Sequence, residues 1–243
     1  MGKYWKEYWG RLKLNRKFTV VICLLVILPI SILAGLLFNN MEKNVVSENR
    51  NYIQYTMERN KDNIGKNIDS INMTIQFFLN DESLLDILVK TANQEKMQTE
   101  ELMEFYHSDI ASLERLVYNN TLLYGIRVYT VNDDVQEMMP ILYSRSRMNK
   151  MEWSNKENYT GWNYNYQDML FDNYNRVPIA SLITNVEDYE NGHIGVIEAA
   201  VTMENMFPSL YEDIEDEWSC FVSDEGNLYF GGNKQGSSEE YVR

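Results

Sequence analysis

The stretch from Phe18 to Phe38, FTVVICLLVILPISILAGLLF, decides how this 243-residue chain is organised. It has 21 residues and no charged side chain, and as a helix it would be about 31 Å long, matching a hydrocarbon core of about 30 Å. Pro29, near its middle, is tolerated in helices that span membranes. The alternative is a secretory signal peptide, but signal peptides have a shorter apolar region and a small-residue cleavage site. The sequence therefore predicts an uncleaved transmembrane helix over residues 18–38.

The charges on either side of this helix differ in sign. Residues 1–17 contain six basic residues and one acidic residue, together with several aromatic rings, whereas residues 39–243 contain 16 basic and 35 acidic residues. Because basic flanks stay in the cytoplasm, we predict a cytoplasmic N-terminal segment bound to the lipid bilayer and an extracytoplasmic remainder. The acidic outer part would repel phosphates, so nucleic acid is excluded as a predicted partner.

Residues 39–80 have the pattern of one long stalk helix. Apolar side chains recur along one stripe at spacings of 3, 4 and 7 residues, while the opposite face is polar. The stripe contains Val46, Ile53, Met57, Ile64, Ile68, Ile71, Ile75 and Phe78. In one interpretation this signalling helix pairs with a second copy in a homodimer. In the other, its upper part packs on its own domain, and both can hold along different parts of the helix.

The sequence pattern predicts an α+β domain over residues 81–235, followed by a polar tail over residues 236–243. Period-3.6 patterns indicate helices over residues 82–90 and from Thr99, the second with a buried stripe of Met103, Tyr106, Ile110, Leu113 and Val117. Period-2 patterns indicate strands over residues 122–131, 140–145, 177–186, 193–201, 219–223 and 227–230. Short loops between strands favour an antiparallel sheet with helices on one face. Residues 146–176 are expected to be a long connection.

Few residues in the chain have the pattern of catalytic chemistry. The two histidines and two cysteines form no metal-ligand spacing and no nucleophile–histidine pair. We therefore predict no metal, no cofactor and no enzymatic activity for this chain.

The connection over residues 146–176 is dense in aromatic rings with a few charged side chains among them. Rings that exclude water and polar groups that orient a solute are what a small-ligand pocket needs. The alternative is that these rings fill space between the connection and the sheet. Arg127 and Tyr129 share one face of their predicted strand because alternate side chains do so. The ligand-binding candidates are Arg127, Tyr129, Trp162, Tyr164, Tyr166, Asp168 and Arg176.

Two sets of segments resemble known families. The helical text NIDSINMTIQFFLNDESLLDIL, residues 67–88, is similar to that of bacterial YesM-like sensor histidine kinases. The strand segments RVYTVND, IASLITNVED and GHIGVIEAAVTMENMF resemble those of extracytoplasmic Cache sensor domains. The resemblance implies a PAS-like antiparallel sheet, and a ligand pocket to which the region between the early and late strands contributes. The stripe residues predicted to carry the signal or to pair in a dimer are Met57, Ile64, Ile68, Ile71 and Ile75.

The resemblance implies that an unidentified small molecule is sensed for a two-component histidine kinase. Family members continue into a second transmembrane helix, a linker and a kinase, and none of these lies within the 243 residues. The same N-terminal arrangement also resembles that of some chemoreceptors, diguanylate cyclases and membrane-bound AraC-type regulators. These proteins are therefore alternative classes for the signalling output. A different class of function is a stand-alone membrane-anchored interaction protein without a small ligand.

Overall fold

A computed structural model describes residues 14–170, 177–211, 220–223 and 226–230 of the chain. The chain divides into two compact units, Met1–Arg59 and Asn60–Arg243. One helix, α1 (Leu14–Leu79), contributes residues to both and is long and apolar enough to cross a membrane. This confirms the predicted apolar helix and its continuation to Leu79. The predicted tail, residues 236–243, and most of the predicted cytoplasmic segment lie outside the described residues.

The second unit combines helices and strands, as predicted for an α+β domain. Its longer helices are α2 (Glu82–Ala92), α3 (Thr99–Phe105) and α4 (Ala111–Asn119), and its short ones are α5 (Arg145–Met148) and α6 (Met203–Met206). Its strands are β1 (Leu123–Thr130), β2 (Leu142–Tyr143), β3 (Gly161–Gln167), β4 (Pro178–Asp188), β5 (Gly192–Thr202), β6 (Cys220–Val222) and β7 (Leu228–Phe230).

The predicted buried stripe of the helix that begins at Thr99 is wrong in its first half. A π-helical turn, Tyr106–Ile110, separates α3 from α4. Phe105 and Ile110, five residues apart, are both buried, whereas Met103 and Tyr106 are 60% and 46% exposed. One wide turn inserts an extra residue and therefore rotates the preceding turns relative to the core.

Five strands form a mixed sheet in the order β2-β1-β5-β4-β3, and β6 pairs with β7 in a separate two-stranded sheet. The prediction of an antiparallel sheet is wrong at one edge, because β2 runs parallel to β1. The backbone N–H groups of Ile141 and Leu142 both donate to the carbonyl of Met138. This tight turn reverses the chain just before β2, which then pairs in the same direction as β1.

Strand β3 lies within the segment predicted to be an irregular connection. Its sequence, GWNYNYQ, alternates aromatic and polar residues, but asparagine is depleted in strands and masks the pattern. β3 pairs with β4, and the register shifts between Asn163 and Tyr166. Asn165, within that shift, has a positive φ of 54°. A bulge of this kind changes which face the following side chain points to.

One face of the five-stranded sheet, here called the helical face, packs against helices. Its core includes Ile126 and Val128 of β1, Ile197 and Ala199 of β5, and side chains of α1 and α2. From α1 it receives the fully buried or nearly buried side chains Ile71, Ile75 and Phe78. The upper part of the predicted stripe therefore packs on its own domain.

The lower part of the stripe is less buried than the upper part. Ile64 and Ile68 are partly buried against the same core. Met57, in the first unit, is 67% exposed. Pairing of two copies along this lower part stays a prediction.

The opposite burial of two neighbouring phenylalanines gives a direct test of how α1 packs. Phe78 is 0% exposed and Phe77 is 58% exposed. Phe78→Ala should lower the free energy of unfolding by about 3–5 kcal/mol because it leaves a core cavity. Phe77→Ala should change it by less than about 1 kcal/mol. Thermal unfolding of the full protein, followed by near-ultraviolet circular dichroism, measures both, and equal effects would contradict the packing of α1.

Candidate functional site

A fully buried carboxylate, Glu198, lies in the middle of β5. Side chains two residues apart share a face of a strand, and Val196 and Ala200 are buried on the same side as Glu198. We call this side the Glu198 face. Arg127 of β1 lies directly opposite Glu198 across the strand pair. An ionised side chain is costly inside a protein unless it is paired and hydrogen-bonded, so the surroundings of Glu198 are informative.

Four side chains donate hydrogen bonds to Glu198. Arg127 Nη1 and the Tyr129 hydroxyl lie 3.3 and 2.6 Å from Oε2. The Trp153 indole Nε1 and the Tyr166 hydroxyl lie 3.1 and 2.5 Å from Oε1. A carboxylate has about four acceptor positions. The protein therefore fills all of them with its own donors.

A second carboxylate, Asp168, follows directly after β3 and is 3% exposed. Its Oδ2 accepts hydrogen bonds from Arg127 Nη2 and, at 3.1 Å, from the Tyr124 hydroxyl. Its Oδ1 accepts the backbone N–H of Leu170 at 3.0 Å. Arg127 thus bridges the two carboxylates. We refer to Arg127, Tyr129, Trp153, Tyr166, Asp168 and Glu198 as the Glu198 cluster.

The bulge in β3 is what brings Tyr166 into this cluster. Trp162 and Tyr164 precede the bulge and pack on the helical face, stacked with ring centroids 5.8 Å apart. Tyr166 follows it, lies on the Glu198 face, and also bonds Ser181 of β4. Since the Tyr166 proton is donated to Glu198, Ser181 must donate to the Tyr166 oxygen.

Residues 145–160, between β2 and β3, cover the Glu198 face and are here called the covering segment. A 3-10 turn, Glu152–Asn155, within it presents Trp153 to the sheet. The Trp153 ring contacts Tyr129 at a centroid distance of 6.0 Å and Tyr159 at 5.7 Å. Met151 is also fully buried here. The cluster is therefore enclosed by aromatic and apolar side chains.

Burial and charge together shift the pKa values of Tyr129, Tyr166 and Arg127 upward. Burial, followed by the charge of Glu198, raises the pKa of Tyr129 and of Tyr166 well above the usual value. Both hydroxyls therefore keep their protons at neutral pH and remain donors. Burial alone would lower the pKa of Arg127, but the charges of Glu198 and Asp168 outweigh it and raise that pKa. Arg127 stays a cation.

The structure brings together four of the seven predicted ligand-binding residues. Arg127, Tyr129, Tyr166 and Asp168 belong to the Glu198 cluster. Trp162 and Tyr164 lie on the other face, where the Tyr164 ring contacts Phe207 and Phe221. The seventh, Arg176, lies outside the described residues.

Sequence reasoning did not select Glu198 or Trp153 as a site residue. One signal for Glu198 is present: it is the single charged residue in the otherwise apolar run IGVIEAAV of β5. Charged side chains are almost never fully buried unless they are paired. A charge at that position therefore indicates a partner on a neighbouring strand.

The cluster offers hydrogen-bond donors and acceptors enclosed by aromatic rings, which suits binding of a polar solute. Within the described ranges, no group of three or more His, Cys, Asp or Glu side chains could hold a metal ion. Comparison of the chain with protein-family models, curated proteins and solved structures gives no match.

Removal of the Glu198 charge tests whether the hydrogen bonds of the Glu198 cluster stabilise the fold. Glu198→Gln keeps the side chain's size, but it loses the charge that Arg127 faces and replaces one acceptor with a donor. We expect the free energy of unfolding to fall by about 3–5 kcal/mol, as when one partner of a buried ion pair is removed. Glu187→Gln, an exposed change on β4, is the control and should alter it by less than about 0.5 kcal/mol. Urea titration of the full protein measures both free energies of unfolding. Equal values for the two variants would contradict the hydrogen bonding described for Glu198.

Proposed function

We propose that this protein is a membrane-anchored extracytoplasmic sensor module that binds a small solute at the Glu198 cluster. The observation that carries the proposal is the convergence of three buried ionisable side chains and three aromatic side chains on one covered sheet face. They come from β1, β3, β5, the covering segment and the residue that follows β3.

The energetic cost of the cluster supports this proposal. Replacing a buried ion pair with apolar residues of similar volume is often neutral or stabilising. A fold that needed only a core would therefore gain little from two carboxylates and a guanidinium beneath the covering segment. Buried charged groups next to aromatic rings are instead typical of binding sites.

The packing of the sheet supports a route for the signal. Glu198 and its β5 neighbours Ile197 and Ala199 point to opposite faces, and the latter two belong to the core that holds α1. A solute that favours one arrangement of the Glu198 cluster would favour one arrangement of β5 against α1. Binding would then shift the population of states of α1, which is one helix from Leu14 to Leu79.

The resemblance to Cache domains supports a finer proposal for the fold and the output. We propose a PAS-like sheet that serves a two-component histidine kinase of the YesM-like class, with residues 39–243 outside the cell membrane. A chemoreceptor, a diguanylate cyclase and an AraC-type regulator are the alternative outputs.

A specific observation favours a second function. Every acceptor position of Glu198 is filled by the protein's own donors. A network so complete also suits a rigid interaction protein, anchored in the membrane, that binds another envelope protein through its surface. Under this second proposal the cluster holds the covering segment in place and binds no solute.

A ligand screen separates the two proposals. The full protein in maltoside micelles is mixed with a library of amines, amino acids, organic acids and sugars, and its unfolding temperature is measured. A ligand at 100 times its Kd adds about 2.7 kcal/mol of stability, which corresponds to a rise of about 5–10 °C for a domain of this size.

Two tryptophan variants locate the binding. Trp153→Phe removes the donor to Glu198 and should abolish or halve the temperature rise. Trp162→Phe makes the same chemical change on the helical face and should retain it. A rise that survives Trp153→Phe but not Trp162→Phe would move the site to the other face. No rise with any compound would favour the interaction protein.

A further inference from the structure

The Glu198 cluster contains more negative than positive charge. Arg127 is the single buried cation among the described residues, and it faces two buried carboxylates, Asp168 and Glu198. Arg147, which lies near Leu170, already pairs with Glu137. A further anion in this place would meet the unbalanced carboxylate charge, whereas a cation would compensate it.

The two carboxylates differ in their capacity to accept another hydrogen bond. All four acceptor positions of Glu198 are occupied. Asp168 accepts three hydrogen bonds from described residues, two at Oδ2 and one at Oδ1. A carboxylate has about four acceptor positions, so Oδ1 of Asp168 has room for one more donor.

There is also space beside this cluster. Gly125 of β1 lies opposite Ala200 of β5, one step along the Glu198 face from the pair of Arg127 and Glu198. Apart from the chain neighbours Tyr124 and Ile126, a Cβ atom built on Gly125 would meet no atom of the described residues within 4 Å. Gly125 is partly exposed, whereas Arg127 and Asp168 are nearly buried. Gly125 therefore leaves an opening on the face that carries the charged groups, whereas Ala200 beside it is fully buried.

An aromatic ring near this opening already accommodates a cation. The guanidinium carbon of Arg127 lies 5.8 Å from the ring centroid of Tyr124. Tyr124 also donates its hydroxyl hydrogen to Asp168. A positively charged group next to Asp168 would therefore lie close to a carboxylate and a π-face, which is a favourable environment for an ammonium.

We infer that the solute is a small organic cation, with an ammonium group that enters over Gly125 and donates to Asp168 Oδ1. This inference rests on the proposed sensor function and adds the charge class of the ligand and its place. Glu198, Trp153 and Tyr166 are then positioning residues, which hold Arg127 and the covering segment around the bound group.

Three probes of equal length test the inference. Propylammonium, 1-propanol and propionate carry a positive charge, no charge and a negative charge. Their binding to the full protein in uncharged maltoside micelles is measured by titration of tryptophan fluorescence. We expect a Kd for propylammonium in the millimolar range and at least about ten times lower than that for 1-propanol, because a hydrogen bond to a charged group adds about that factor. Propionate should not bind.

Two variants test where the probe binds, and a third is the control. Gly125→Leu places a large side chain in the opening, at a position where an added Cβ has space, and Asp168→Asn removes the charge. Each should weaken propylammonium binding at least about tenfold. Glu157→Gln removes an exposed carboxylate of the covering segment and should leave binding unchanged. The unfolding temperature of each unliganded variant shows that it is folded.

The outcomes distinguish this inference from the proposed function. Propylammonium binding that survives both Gly125→Leu and Asp168→Asn would overturn the placement. A neutral or anionic ligand, from the three probes or the library, whose binding is lost in Gly125→Leu would overturn the charge class and leave the sensor function standing. If none of the three probes binds and the library gives no ligand, both this inference and the proposed sensor function fail.

Discussion

The carboxylate of Glu198 is the constraint on which the second unit depends. It is fully buried, and its two oxygens accept hydrogen bonds from β1, β3 and the covering segment. Each of these contacts is needed because a carboxylate removed from water loses its hydration. The same contacts fix where the covering segment lies and which way Tyr166 points. A single charge therefore determines the arrangement of one whole face of the sheet.

The two faces of the sheet are stabilised in different ways. The helical face is apolar, and it buries Ile71, Ile75 and Phe78 of α1 without polar partners. The Glu198 face is stabilised by paired charges and hydroxyl donors within a ring of aromatic side chains. β5 lies in the middle of the sheet and alternates between the two, so a change around Glu198 directly affects the strand against which α1 packs.

The parts of the fold that depend on local chemistry could be predicted from the sequence. Asp81 and Thr202 cap α2 and α6 through the backbone N–H groups of Leu84 and Asn205, as expected of their side chains. β1, β4 and β5 follow their apolar patterns within two residues at each end. The apolar helix and its continuation to Leu79 follow from composition and periodicity alone.

The other parts could not be predicted because they depend on one extra residue or on a distant partner. The π-turn places Ile110 five residues after Phe105, which no regular helical period anticipates. The bulge at Asn165 separates Tyr166 from Trp162 and Tyr164, although all three alternate in the sequence. Arg127 and Tyr129 were expected to share a face, but their partner Glu198 is about 70 residues away, and pairing at that separation depends on strand order.

Glu198 holds the covering segment on the sheet through Trp153. Hydrogen exchange of the Trp153 indole N–H tests it most directly, in full protein labelled with ¹⁵N-tryptophan and assigned by the resonance that Trp153→Phe removes. The account predicts an indole N–H as strongly protected as the central amides of β5, because it is buried and bonded to Oε1. Exchange as fast as that of an exposed indole would contradict the account, since the covering segment would then not be held by Glu198.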